Sequence, residues 1–204
     1  PEDLITVSSE DERLHATQAL VNRLAVHWPD TPYNFRVVIE DSELANAMAL
    51  PGGLIVVTRG LLDQVESENE LAFVLGHELG HFRNRDQLRA LGRVVALSLF
   101  LTVVTGNDVA GIGIKAADLT LRGFSRKQES RADEYGLAIV NAEYGHVNEA
   151  WHLFERWGIR DDSISALAAY FSTHPDTGDR IWDMRILAET NTWRLDGEST
   201  PLRW

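Results

Sequence analysis

Ser67-Glu68-Asn69-Glu70-Leu71-Ala72-Phe73-Val74-Leu75-Gly76-His77-Glu78-Leu79-Gly80-His81-Phe82 is the stretch around which the rest of the chain arranges itself. Ser67 and Glu70 have the spacing of a capping box, and Leu71, Val74, Leu75 and Phe82 recur every three or four residues. That pattern predicts an amphipathic helix. On it, His77 and His81 lie four residues apart, one above the other on a single face. Glu78 follows His77 by about 100° of rotation, so it lies beside whatever the imidazoles bind and can reach a water there. Gly76 and Gly80 each cost such a helix about 1 kcal/mol relative to alanine, which points to a close backbone approach or to plain helix packing.

Two imidazoles and an unligated acid fit a catalytic zinc, which takes three protein ligands and leaves one position for a water of pKa about 7. The chain has no cysteine, so histidines and carboxylates must hold any metal. Glu129 is the candidate third ligand. It follows Ser125 and Gln128, which have capping-box spacing, and Asp133 stands one turn further on, placed to accept a hydrogen bond from a ligand imidazole. From spacing alone the competing readings are a solvated carboxylate for Glu129 and a salt bridge with Arg131 or a neighbour for Asp133.

Outward from this centre the pattern is mainly helical. Ser9 and Glu12 open a helix running to about His27, and Phe35 to Ile39 reads as a strand. Asn46 to Leu50 and Leu54 to Thr58 flank Pro51-Gly52-Gly53 and read as a hairpin with an available edge. Val94 to Val104 is the most apolar run, but its eleven residues fall short of the roughly twenty that a spanning helix needs. Gly106 to Gly113 reads as a mobile connection, a lid or an ordinary loop, and Asn148 to Trp157 and Arg180 to Leu187 as amphipathic helices. The expected fold is α+β, mainly α, with a small sheet beside the His77 helix, in a single domain over residues 1–204.

A net charge of −12 argues against nucleic acid, whose binding relies on clustered Lys and Arg. It disfavours adhesion to anionic lipid but leaves apolar insertion, and so peripheral membrane association, open. The first thirty residues lack a basic start followed by an apolar run, so a targeting segment removed from ahead of Pro1 is one reading.

Four motifs in order resemble the HtpX and BepA type of gluzincin metallopeptidase, a family that also contains the CAAX prenyl endopeptidases. They are Asn46 to Gly53, His77 to His81, Phe124 to Asp133, and Ser172-Thr173-His174-Pro175 with Arg180 and Ile181. The resemblance implies a zincin-like fold and one zinc ion held by His77, His81 and Glu129. It also implies that His174 sits near the metal as an oxyanion donor, with reversible zinc ligation or a helix-start role as alternatives, and that Arg180 orients it or contacts substrate. Asn46, Ala47, Met48 and Ala49 would be the edge strand that pairs with an extended, unfolded or misfolded protein. A bacterial periplasmic or envelope-associated site and a part in protein quality control rest on the resemblance alone. His15, His27, His146 and His152 match no motif and read as surface or packing residues. The rival reading is a chaperone-like binder of extended chains whose zinc is structural or latent.

Overall fold

A computed structural model describes residues 12–105, 124–159, 170, 172–174 and 179–204. Ser9, the Gly106 to Gly113 stretch and Pro175 lie outside the described residues. The elements in chain order are α1 (Glu12–Val26), β1 (Arg36–Glu40), β2 (Ala47–Leu50), β3 (Leu54–Thr58), α2 (Arg59–Leu62), α3 (Glu68–Asn84), α4 (Asp86–Thr105), α5 (Arg126–Tyr144), α6 (His152–Ile159) and α7 (Arg180–Thr190). The protein is therefore mainly helical with one three-stranded sheet, as the sequence predicts.

The expected hairpin is present. β2 runs antiparallel to β3 with Leu50 opposite Leu54, and the turn between them places Gly52 and Gly53 at φ of 89° and 85°, where a side chain would be strained. The sheet order is β1-β3-β2, with β1 parallel to β3, so β2 is an edge and among the described residues no strand pairs with its outer side. Thr58 N–H donates to Asn46 O, and in an antiparallel ladder such bonds alternate. The backbone groups of Ala47 and Ala49 consequently face away from β3.

Helix α3 is central, with every residue from Asn69 to Phe82 buried. Ser67 caps it through a bond from Glu70 N–H, but the other half of the expected capping box is not made. The Glu70 carboxylate instead accepts from Glu66 N–H and pairs with Arg156, a cation that supplies more to a buried carboxylate than one backbone amide does. The chain's last stretch closes the same end of the helix, where Glu68 N–H donates to Thr200 O and Asn69 Oδ1 accepts from Thr200 N–H. At the other end Trp28, Tyr33, Phe35 and Phe82 stack edge to face and tilted, with Arg83 over the Trp28 and Tyr135 rings.

Small residues decide where α5 lies. A Cβ at Gly76 would sit 3.1 Å from Gly136 Cα, one at Gly80 would sit 2.9 Å from Ala132 Cα, and one at Gly136 would sit 3.0 Å from His77 N. Gly76 and Gly80 on α3 thus face Ala132 and Gly136 on α5, four-residue spacing against four-residue spacing, and the backbones touch. The close approach that the two glycines announce in the sequence is this notch. Gly80→Ala should destabilise the fold by about 1–3 kcal/mol through overpacking, measured by urea unfolding, whereas Gly92→Ala should be neutral or stabilising by up to about 1 kcal/mol. A Cβ at Gly92 meets nothing within 4 Å.

Candidate metal centre

The notch sets the His77 and His81 face of α3 against the Glu129 and Asp133 face of α5. His77, His81, Glu129 and His174 are all buried, and one ligand-type atom from each lies within 4.8 Å of the others. His77 Nε2 is 3.0 Å from His81 Nε2 and 3.4 Å from Glu129 Oε2, and His81 Nε2 is 3.5 Å from Glu129 Oε1. His174 Nδ1 lies 3.1 Å from His77 Nε2 and 3.3 Å from Glu129 Oε2.

Tautomers follow from the opposite ring nitrogens. His77 Nδ1 is 2.9 Å from Asp133 Oδ1, and His81 Nδ1 is 3.1 Å from Asp86 Oδ2. A carboxylate only accepts, so both Nδ1 atoms carry the proton and both Nε2 atoms turn lone pairs toward each other. His174 Nε2 faces Ala47 O at 3.3 Å, which leaves its Nδ1 lone pair facing the same point. Three lone pairs and a carboxylate converging without a donor call for a cation. The three separations to Glu129, 3.3–3.5 Å, match those of a tetrahedral zinc, whose bonds of about 2.0–2.2 Å set ligand atoms about 3.3–3.6 Å apart, and the two between imidazoles, 3.0 and 3.1 Å, are a little shorter. Both Glu129 oxygens are buried and make no hydrogen bond, which fits a carboxylate reserved for metal.

Electrostatics agree. Burial alone would lower the His77 pKa, but Asp133 and Glu129 raise it to about 9, so without a cation the ring takes up a proton at Nε2, which a bound metal would displace. Burial works against ionised Glu129 too, yet His174 and His77 keep it well below the ordinary carboxylate range. Asp133 is brought down to about 2 against the penalty of burial, chiefly by Arg180.

Glu78 stands beside the cluster with both carboxylate oxygens buried and without a hydrogen bond, Oε1 being 3.4 Å from His174 Nε2. A buried carboxylate without a hydrogen bond is expensive, so its presence favours chemistry over packing. Arg180 is buried against α5. Its Nε and Nη2 donate to the two Asp133 oxygens at 2.7 and 2.6 Å, and Nη1 is 3.6 Å from Glu129 Oε2. On the other side Thr173 Oγ1 donates to Asn46 Oδ1, joining the end of β2 to the residue before His174.

Two participants escape the sequence reading. Asp86 backs His81 as Asp133 backs His77, and Gln128 Nε2 donates to Asp86 Oδ1 at 2.8 Å while its Oε1 accepts from Ser125 N–H. Arg85 makes this possible by ending α3 at φ 55°, so that the chain turns and Asp86 points back at the helix it has just left. The only sequence signal is an acid five residues after His81. Of the unassigned histidines, His27 pairs with Glu143 and His146 accepts from Asn148 N–H, as packing residues would.

Residues 8–188 match the family model described as Peptidase family M48. The chain belongs to peptidase family M48. The mitochondrial metalloendopeptidase OMA1 of Arabidopsis thaliana is 31% identical over 159 residues, covering 78% of the M48 chain and 32% of the relative. OMA1 of Schizosaccharomyces pombe is 30% identical over 190 residues, covering 88% and 54%. A putative beta-barrel assembly-enhancing protease of Vibrio cholerae is 29% identical over 170 residues, covering 76% and 34%. The M48 chain thus spans about a third to a half of these relatives' own length. Protease HtpX of Stutzerimonas stutzeri matches as well, at 29% over 169 residues, so the resemblance read from the motifs is borne out.

Removing the carboxylate behind a ligand histidine typically costs 10–100-fold in metal affinity. Asp86→Asn should therefore weaken zinc binding by about 10–100-fold in a chelator competition. Asp133→Asn should do so too and also lower unfolding stability by about 3–5 kcal/mol, because it leaves the buried Arg180 charge unmatched.

Proposed function

We propose that this chain is a zinc-dependent endopeptidase acting on extended or misfolded protein. The observation that carries the reading is Glu78, a buried carboxylate that makes no hydrogen bond, one residue from His77 and beside His174. His77, His81 and Glu129 would hold the ion, which when bound supplies a Lewis acid for the scissile carbonyl and acidifies a water. Glu78 takes a proton from the attacking water onto its carboxylate and returns it to the leaving amine. Asp133 and Asp86 keep His77 and His81 in the tautomer that offers Nε2. Arg180 holds Asp133 and Glu129 together from behind, and a substrate contact by this residue would fall to Nη1.

Substrate would lie along β2. The outward backbone groups of Ala47 and Ala49 are buried, Ala47 O against His174, so a chain that adds a strand here has to displace that cover; binding of this kind favours unfolded protein over a defined sequence. Asn46 fixes the start of this edge, and half-buried Met48 belongs to the same strand. Envelope protein quality control is the setting that suits such a preference, and the likeness to a putative beta-barrel assembly-enhancing protease of Vibrio cholerae supports it.

A second reading rests on His174. Its Nδ1 faces the cluster as a fourth ligand-type atom, and a site closed by four protein ligands is a structural or latent zinc site rather than an open catalytic one. Such a chain would bind extended protein without cutting it. Two variants separate the readings, with casein cleavage and casein binding followed in the same zinc-loaded preparation. Glu78→Gln should keep its zinc and lose about 10²–10⁴-fold in kcat, and full activity in this variant would exclude the mechanism. His174→Ala should lose about 10²–10³-fold if the ring stabilises the oxyanion. A gain in cleavage would instead mark His174 as the residue that closes the site.

A further inference from the structure

Arg180, Met184 and Leu187 recur at helical spacing along one face of α7, and between that face and α5 lies a groove of about 270 Å³. Ligand pockets usually enclose about 300–1,000 Å³, so a groove of this size suits a single side chain rather than a whole ligand. Glu129, Asp133 and Arg180 form its buried wall, which therefore includes a residue of the metal centre. Asp133 holds Arg180 Nε and Nη2, but Nη1 is buried and makes no hydrogen bond. The nearest acid, Glu129 Oε2, is 3.6 Å away and faces the metal position. A buried N–H donor in this state calls for an acceptor from outside the chain, and a peptide carbonyl is one.

Beyond this wall the groove changes character. Met184 is buried and Leu187 half-buried, which gives it an apolar lining. Arg126, Glu134 and Asp183 are exposed along it. Two acids against one arginine leave these exposed positions net negative, and among the described residues neither Glu134 nor Asp183 has a cationic partner. An apolar lining that ends in carboxylates matches the lysine or arginine side chain, an aliphatic stem with a charged head.

We propose that this groove is a subsite for one substrate side chain next to the scissile bond and that it selects lysine or arginine. The substrate carbonyl accepts from Arg180 Nη1, the stem lies along Met184 and Leu187, and the cationic head reaches Glu134 and Asp183. An acidic side chain meets like charge in the same place. The subsite adds a preference at one position to strand pairing that is blind to sequence. Its place beside the scissile bond rests on the peptidase reading, through Glu129, which both lines the groove and would hold the ion.

The probes are three unstructured peptides of alanine and serine with a single central Lys, Leu or Glu. Cleavage by the zinc-loaded chain is followed by mass spectrometry, and binding to the zinc-loaded Glu78→Gln variant by fluorescence anisotropy. The Lys peptide should exceed the Leu peptide by about three- to tenfold in kcat/KM and in affinity, with the cut beside the central residue and the Glu peptide poorest. Glu134→Gln with Asp183→Asn should abolish the preference and Arg126→Glu should increase it, opposite shifts that misfolding cannot produce. Asp30→Asn with Glu198→Gln makes the same change of net charge at exposed positions outside the groove, and should leave the preference as it was. A preference for Lys in binding, without cleavage by the wild-type chain, would contradict the peptidase reading and keep the selectivity of the groove. Cleavage of all three peptides alike, or a preference that the groove variants do not alter, would overturn the subsite and leave the peptidase standing. Failure to bind any of the three would overturn the subsite as well.

Discussion

The contact on which everything else depends is the backbone-to-backbone approach of α3 and α5. Helices separated by ordinary side chains run with their axes about 8–10 Å apart. Gly76 and Gly80 against Ala132 and Gly136 remove those side chains, and only then does the short Glu129 side chain reach the imidazoles one layer away. The four small residues and the four polar ones share the same spacing, so one rigid interface fixes both packing and the metal site. Placing ligands on two helix faces rather than on loops holds them within the narrow tolerance that coordination demands.

The price of this arrangement is buried charge. Glu78, Glu129, Asp133 and Asp86 are all buried around the site, and Arg180 is the buried guanidinium that answers them. Asp133 is satisfied by Arg180 and His77, and Asp86 by Gln128 and His81. Glu129 and Glu78 are left without hydrogen bonds; Glu129 faces the point where the imidazole lone pairs converge, and Glu78 lies beside it, against His174 Nε2. The chain's own groups thus leave a surplus of negative charge at one place, which a divalent cation offsets. Substituting a partner of the satisfied pairs disturbs the fold, while substituting Glu78 or Glu129 mainly disturbs chemistry.

What the sequence reveals divides along the same line. Periodicity and turn residues show α3, α5 and the β2-β3 hairpin, because hydrophobic spacing, Ser125 with Gln128, and Gly52-Gly53 act locally. His77, His81, Glu129 and the pairing of Asp133 with an imidazole are legible for the same reason, since each rests on helical spacing and motif. Contacts that join distant segments are not legible. Asp86 is hidden because its role needs the left-handed turn at Arg85, and Gln128 because only the folded chain shows its amide reaching another helix. Glu70 fits a capping box locally but is drawn to Arg156, eighty-six residues away. The stretch that ends with Thr200 capping α3 has no periodicity to announce it. Arg180 is the instructive case, for the motif marks the residue while its partner, Asp133, comes only with the tertiary structure.

A crystal structure of the zinc-loaded chain, with anomalous scattering collected at the zinc edge, decides whether the α3–α5 interface is a metal site. One zinc per chain should appear bonded to His77 Nε2, His81 Nε2 and Glu129, with Glu78 beside it and not bonded. A chain that takes up no stoichiometric zinc, or that holds it away from these three residues, would contradict the assignment of the buried carboxylates and with it the proposed chemistry.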